Sequence, residues 1–194
     1  MYTVLLDSSN INLSVGLAKD NVLLKEISYE AWQQQSEYMI VELNKLLEEF
    51  DVNYKDIDSI MVAIGPGSYT GVRIAITIAK TMALACNAKV YPVSSLRIEK
   101  DYQNPSICVI NARSGRSYVG LYEGSKIIKE DSIWKNDEVI KFVDENPMYS
   151  LCGNAKYLGL EGKEISVIKQ MLSLKDDIEP IDNYLALKPV YMSD

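Results

Sequence analysis

The stretch that decides the fold is residues 64–74, which read Ile64-Gly65-Pro66-Gly67-Ser68-Tyr69-Thr70-Gly71-Val72-Arg73-Ile74. It follows a short apolar run and leads into a longer apolar segment. The pattern predicts a strand, a sharp glycine-rich corner and then a helix. Ser68 or Thr70 can cap that helix, and the free N–H groups at its start suit an anion, which Arg73 can also reach.

The spacing of the loop departs from both familiar phosphate-binding patterns. A Walker A loop needs a lysine after its last glycine, whereas Val72 follows Gly71 here. The dinucleotide fingerprint needs a glycine at the position of Thr70 and an acidic residue about 20 positions later, where this sequence has Lys89-Val90-Tyr91-Pro92. Two interpretations stay open, an anion site and a tight corner without a ligand, and the spacing favours the corner.

Outward from the loop, hydrophobic periodicity predicts a β-β-β-α-β-α-β order, with the first helix over about residues 34–50 and the second over about 70–86. A polar stretch at 96–105 marks a lobe boundary. We therefore expect an N-terminal lobe over 1–99, carrying the partner-binding helices, and a smaller, trimmed C-terminal lobe over 100–194. The second lobe opens with the same β-β-β-α order, which indicates two related lobes.

The second helix is apolar on nearly every face, and such a helix needs cover on every side. Ala75, Ala79 and Ala83 form a smooth ridge that another helix can approach closely. The cover is either the second lobe or another protein, and we favour a partner. The predicted partner interface consists of Tyr38, Val41, Lys45, Ala75, Ile76, Ala79, Met82 and Ala83.

Composition removes several classes of function. The net charge of −7 disfavours direct binding of a nucleic acid backbone. The absence of histidine excludes a His base or a His-ligated metal site. The three cysteines lie in apolar runs without metal-ligand spacing, which is typical of a reducing compartment. Without a signal peptide or a long apolar stretch, we expect a cytoplasmic protein with no membrane contact.

The loop with its flanks closely resembles the signature of the TsaB (formerly YeaZ) family, whose members are partner subunits in the tRNA threonylcarbamoyladenosine modification system. Residues 111–118 resemble the family's second motif, with Asn111 where the family has Asp. Leu6-Asp7-Ser8-Ser9 resembles its opening, and Trp32 with Ser36-Glu37 its lead-in to the first helix. Gln35 stands where the family often has His, and Ala75 where it has Gly.

The resemblance implies an actin-like ATPase (ASKHA, RNase H-like) α/β fold with two lobes, each holding a mixed β-sheet and helices. It implies a non-catalytic scaffold that activates the catalytic paralogue TsaD, which installs the threonylcarbamoyl group on N6 of adenosine 37 in tRNAs. It further implies a TsaE-like ATPase as another partner, indirect contact with tRNA, and a homodimer when the chain is alone. The metal-binding histidines of the paralogue have no counterpart at Val93-Ser94-Ser95-Leu96, so neither a catalytic residue nor a metal ligand is predicted.

Asp7, Ser8, Ser9, Asn111 and Arg113 are the candidates for a weak nucleotide-binding cleft. Residues 7–10 lack the glycine that lets a phosphate approach the backbone, so we expect this subunit to bind no cofactor alone and its partners to use ATP and metal. The alternatives are an actin-fold small-molecule kinase or ATPase, and a homodimeric module for another partner.

Overall fold

A computed structural model describes residues 1–31 and 33–192, so Trp32 lies outside the described residues. The chain forms two compact units: residues 1–94 with 167–190, and residues 95–166 with the end of the chain. The division after Ser94 lies close to the expected boundary at 99/100. The assignment of all of 100–194 to the second lobe is corrected, because residues 167–190 pack into the first unit.

The elements follow the predicted β-β-β-α-β-α-β and β-β-β-α orders with boundaries shifted by a few residues, and a short helix that was not predicted lies between them. The strands are β1 (Tyr2–Asp7), β2 (Asn12–Lys19), β3 (Val22–Glu30), β4 (Ile57–Ala63), β5 (Lys89–Val93), β6 (Ser106–Arg113), β7 (Arg116–Glu123), β8 (Lys126–Lys135) and β9 (Ser150–Cys152). The helices are α1 (Gln35–Glu49), α2 (Tyr69–Cys86), α3 (Ser95–Ile98), α4 (Asn136–Glu145) and α5 (Val167–Ser173). None of the helices in the described part of the chain is long and apolar enough to cross a membrane.

The first unit is built on a five-stranded sheet in the order β3-β2-β1-β4-β5. Strands β1 to β3 form an antiparallel meander, and β4 and β5 continue the sheet parallel to β1. The turn between β2 and β3 places Asp20 and Asn21 at φ values of 51° and 62°. Asn and Asp tolerate this left-handed conformation, which matches the twist of a two-residue hairpin.

Helices cover both faces of this sheet. Alternation along β1 and β2 sends Val4, Leu6 and Val15 into the core that they share with α1 and α2. Gly16 belongs to the opposite face, where a Cβ atom would lie 2.2 Å from Cγ2 of Ile168 in α5. The return of the chain at 167–190 therefore closes the second face of the sheet.

The second unit repeats the first four strands of that topology. Its sheet has the order β8-β7-β6-β9, with β9 parallel to β6 and the other pairs antiparallel. One face packs against α4 through Val109, Val119 and Val139. Within the described residues this sheet has four strands where the first sheet has five.

Candidate partner-binding site

The glycine-rich loop leaves the end of β4 and is held by backbone hydrogen bonds on both sides of the strand end. The N–H of Ile64 donates to the carbonyl of Val93 at 2.9 Å, and the N–H of Val190 donates to the carbonyl of Ile64 at 2.8 Å. Gly65 has a φ of 100°, and a Cβ atom there would lie 2.9 Å from the carbonyl oxygen of Val190. Only glycine meets both demands without strain.

The other two glycines of the loop pack against the turn that follows β1. A Cβ atom on Gly67 would lie 2.2 Å from the carbonyl oxygen of Ser9, and one on Gly71 would lie 1.8 Å from that of Ser8. The Ser68 N–H donates to the Ser9 carbonyl at 2.6 Å, and Ser8 Oγ donates to the Gly71 carbonyl at 2.7 Å. The glycines thus bring the two loops of the first unit into direct contact.

The start of α2 is capped by its own chain. Ser68 Oγ accepts the N–H of Gly71 at 3.2 Å, and the Ser68 carbonyl accepts the N–H of Val72 at 2.9 Å. Thr70 lies exposed within the helix, so Ser68 is the cap. The Arg73 guanidinium stacks over the Tyr69 ring at 4.0 Å from its centre. These contacts favour the interpretation of the loop as a tight corner.

Asp7 is a buried carboxylate beside that corner. Its Oδ1 accepts the N–H of Ser9 at 2.8 Å, so the carboxylate fixes the turn on which Gly67 rests. Burial raises the pKa of the Asp7 carboxyl, and the hydrogen bonds from Ser9 oppose that rise. Gln35, which stands where the related family often has histidine, donates through Nε2 to the Asn10 carbonyl at 3.3 Å and supports the same turn.

The second motif lies in the other unit, at the hairpin between β6 and β7. Asn111 Oδ1 accepts the N–H of Arg113 at 2.8 Å, while Arg113 and Ser114 have φ values of 63° and 50°. An asparagine oxygen accepts this bond as an aspartate oxygen would, so the replacement preserves the hairpin. The structure brings Asp7, Ser8 and Ser9 together with the glycine loop in the first unit, and Asn111 and Arg113 belong to the second unit.

Residues 1–31 and 33–192 contain no group of three or more His, Cys, Asp or Glu side chains placed to hold a metal ion. Cys86 is half-buried, Cys108 and Cys152 are buried, and all three are free thiols. Burial raises the pKa of the Cys108 thiol, which suits a structural residue in the sheet.

The α2 part of the predicted partner interface is wrong. Five of its residues are no more than 4% exposed and belong to the core of the first unit, namely Ala75, Ile76, Ala79, Met82 and Ala83. The alanine ridge faces the chain's own sheet, because small side chains let a helix approach strands closely. These residues are not available to a partner.

The exposed face of α2 lies opposite the alanine ridge. Arg73, Thr77, Thr81 and Leu84 recur at intervals of three or four residues, and all four are exposed. Ile74 and Ile78 are half-buried at its border. The sequence did indicate the exposed face, since the polar residues of α2 fall on it. The prediction relied on the alanine spacing instead and therefore chose the buried face.

The α1 part of the predicted interface is exposed as expected. Tyr38 and Val41 are 37% and 43% exposed, and Lys45 lies one turn beyond Val41. Glu42, beside them, accepts hydrogen bonds from the Tyr29 hydroxyl at 3.2 Å and from Lys45 Nζ at 2.9 Å. Since α1 and α2 are in contact, their exposed residues define one surface, which we call the α1–α2 surface: Tyr38, Val41, Lys45, Arg73, Thr77, Thr81 and Leu84.

Comparison with known proteins agrees with this architecture. The structure of YeaZ from Pseudomonas aeruginosa superposes with a TM-score of 0.82 at 22% sequence identity, covering 98% of this chain and 99% of that one. An uncharacterised protein of Mycoplasma genitalium is 30% identical over 199 residues, covering 100% of this chain and 95% of its own. The tRNA threonylcarbamoyladenosine biosynthesis protein TsaB of Bacillus subtilis is 32% identical over 127 residues, which are 63% of this chain but 56% of that protein.

The two mixed sheets with their helices define an actin-like, RNase H-like α/β protein. A family model described as TsaD, tRNA N6-adenosine threonylcarbamoyltransferase, matches residues 28–175. The chain belongs to this family and, within it, to the TsaB/YeaZ group.

Proposed function

We propose that the chain is a non-catalytic subunit in the biosynthesis of threonylcarbamoyladenosine in tRNA, and that it acts in the cytoplasm by binding and activating a TsaD-like catalytic paralogue. The proposal is supported by its TsaB-named relatives in Bacillus subtilis and Buchnera aphidicola. The binding site in this proposal is the α1–α2 surface, in place of the alanine ridge.

The observation that carries the proposal is the exposure of apolar side chains on two helices in contact. Tyr38 and Val41 on α1 and Leu84 on α2 keep between 37% and 68% of their surface exposed in the isolated chain. Side chains of this kind on a rigid helical scaffold are typical anchors of protein interfaces. Their burial removes apolar area from water, and little conformational entropy is lost because the helices are already ordered.

The residues near the glycine loop offer little for catalysis by this subunit. The sequence has no histidine, and the turn after β1 has Asp7-Ser8-Ser9-Asn10 without a glycine. The Ser8 and Ser9 carbonyls lie against Gly71 and Gly67, so the two loops are closed on each other. In this proposal the TsaD-like subunit and a TsaE-like ATPase supply the ATP and metal chemistry, and tRNA is held by the assembly.

The decisive experiment co-purifies the chain with the TsaD-like paralogue of the same genome and measures the affinity by calorimetry. Val41→Asp places a charge in the proposed interface and should weaken binding at least about 30-fold. Ile128→Asp is the matched control, since Ile128 on β8 is 46% exposed but lies in the second unit. Wild-type protein that does not bind the paralogue, or Val41→Asp protein that binds as tightly as wild type, would refute the proposal.

The same surface is proposed to form a homodimer when the chain is alone. A closed two-fold dimer uses one patch on both copies, so the homodimer and the heterodimer compete. Adding the paralogue should convert dimeric chain into heterodimer in light-scattering measurements. A complex that contains the paralogue and still holds two copies of this chain paired through their α1–α2 surfaces would contradict a shared site.

A further inference from the structure

We propose that the 3₁₀ turn Tyr184–Ala186 extends the α1–α2 surface, with Leu185 and Leu84 contacting the TsaD-like paralogue together. This inference rests on the proposed function and adds a contact from the C-terminal return of the chain. The turn lies outside residues 28–175, the part that the family model matches.

The two leucines are unusually exposed for apolar side chains. Leu84 is 68% exposed and Leu185 is 60% exposed, whereas the leucines of β1, β2 and α1 are almost wholly buried. A single exposed leucine is ordinary, but two exposed leucines on neighbouring elements offer a partner a larger apolar area. Lys80 links those elements, because its Nζ donates to the Leu185 carbonyl at 2.8 Å and it precedes Leu84 by one helical turn.

The turn that carries Leu185 is anchored to the rest of the unit. Tyr184 and Leu187, on either side, pack against the main core of the first unit. Ile181 donates its N–H to the Val90 carbonyl at 2.9 Å, and the Asn183 side chain accepts the N–H of Ala186 at 3.3 Å. Leu185 therefore points outward from an ordered turn, and a partner that covers it loses little entropy in ordering it.

Charge and continuity indicate which partner fits. Leu84 already belongs to the α1–α2 surface, so a protein bound there reaches Leu185 without a separate site. Helix α2 carries the cations Arg73 and Lys80 and no acidic residue, whereas α1 carries four glutamates and one lysine. A partner helix that carries apolar and acidic residues together would complement the cations of α2, and continuity with the α1–α2 surface makes the TsaD-like paralogue that partner.

The test measures the affinity for the TsaD-like paralogue of Leu185→Ala, Leu84→Ala and the double variant. Each single change should weaken binding about 5- to 10-fold, with unchanged thermal unfolding because both side chains are exposed. Lys80→Met, which releases the Leu185 carbonyl, should weaken binding by a smaller factor. Ile128→Ala in the second unit is the matched control and should bind as wild type does.

The outcomes separate this inference from the proposed function. If Val41→Asp weakens binding while Leu185→Ala binds as tightly as wild type, the extension is refuted and the proposed function stands. If the Leu185 variants change only self-association, the occupant is a second copy of the chain and the inference fails. If wild type does not bind the paralogue, both proposals fail.

Discussion

A Cβ atom on Gly71 would lie 1.8 Å from the carbonyl oxygen of Ser8, and Ser8 Oγ donates a 2.7 Å hydrogen bond back to the Gly71 carbonyl. The first turn of α2 is thus fitted against the turn after β1 with no room for a side chain. Gly71→Ala should lower the free energy of unfolding by about 2 kcal/mol or more, because overpacking outweighs the gain of about 1 kcal/mol in helix propensity. Urea unfolding measures the loss.

Gly115→Ala separates steric crowding from backbone conformation. Gly115 has a φ of 72° and nothing within 4 Å of a Cβ position, so this variant incurs only the left-handed penalty of about 1 kcal/mol. An equal or smaller loss for Gly71→Ala than for Gly115→Ala would contradict the close contact with Ser8.

The opposite faces of α2 should respond differently to one and the same change. Ala79→Glu inserts a carboxylate into the core, where Ala79 is fully buried, and should lower the free energy of unfolding by at least about 3 kcal/mol. Thr77→Glu, two residues away on the exposed face, should leave unfolding within about 0.5 kcal/mol of wild type and weaken binding of the paralogue. Circular dichroism with thermal melting checks the first effect and calorimetry the second. A folded, stable Ala79→Glu protein would restore the alanine ridge as a candidate interface.

The order of the elements could be predicted from the sequence, whereas the residues that pack against each face of α2 could not. The meander β1–β3, helix α1 and the glycine corner were predicted because alternation, helical spacing and glycine act over a few residues. The burial of Ala75 and Ala79 depends on which face of a nearly uniform apolar helix meets the sheet, and local pattern decides that poorly. The return of residues 167–190 depends on a contact between Gly16 and Ile168, which are far apart in the chain.

The free energy of unfolding of the chain should fall as pH rises through the titration range of Asp7. Burial raises the pKa of its carboxyl above the ordinary 3.8, although the Ser9 hydrogen bonds oppose that rise. The folded chain therefore keeps the proton to a higher pH than the unfolded chain does, and the contribution of Asp7 to stability falls from pH about 4 up to its folded-state pKa. The stability of Asp7→Asn relative to wild type should increase across that window, as followed by urea unfolding at stepped pH. A constant difference would show that Asp7 is not desolvated.

Asp101 should have the opposite dependence on pH. Burial alone would raise the pKa of its carboxyl, but bonds from Lys163, Asn104, Gln103 and Ser150 hold that pKa well below the ordinary 3.8. Its contribution is therefore present above pH 3.8 and is lost as pH falls toward the folded-state pKa. Asp101→Asn should cost about 2 kcal/mol at neutral pH and less below pH about 4. A penalty that stays constant down to pH about 2 would contradict the network.

The pure chain should show no hydrolysis of ATP above the level of a blank, with or without Mg²⁺. The reason is steric, because the Ser8 and Ser9 carbonyls occupy the space against Gly71 and Gly67, and the turn after β1 offers no glycine through which its backbone can approach a phosphate. Phosphate release is measured for wild type and for Asp7→Ala, which should be indistinguishable. Metal-dependent turnover that Asp7→Ala abolishes would instead support the actin-fold kinase or ATPase. In that case the close contact between the two loops must open to admit the nucleotide, and Gly71→Ala, which prevents their closure, would change the KM for ATP.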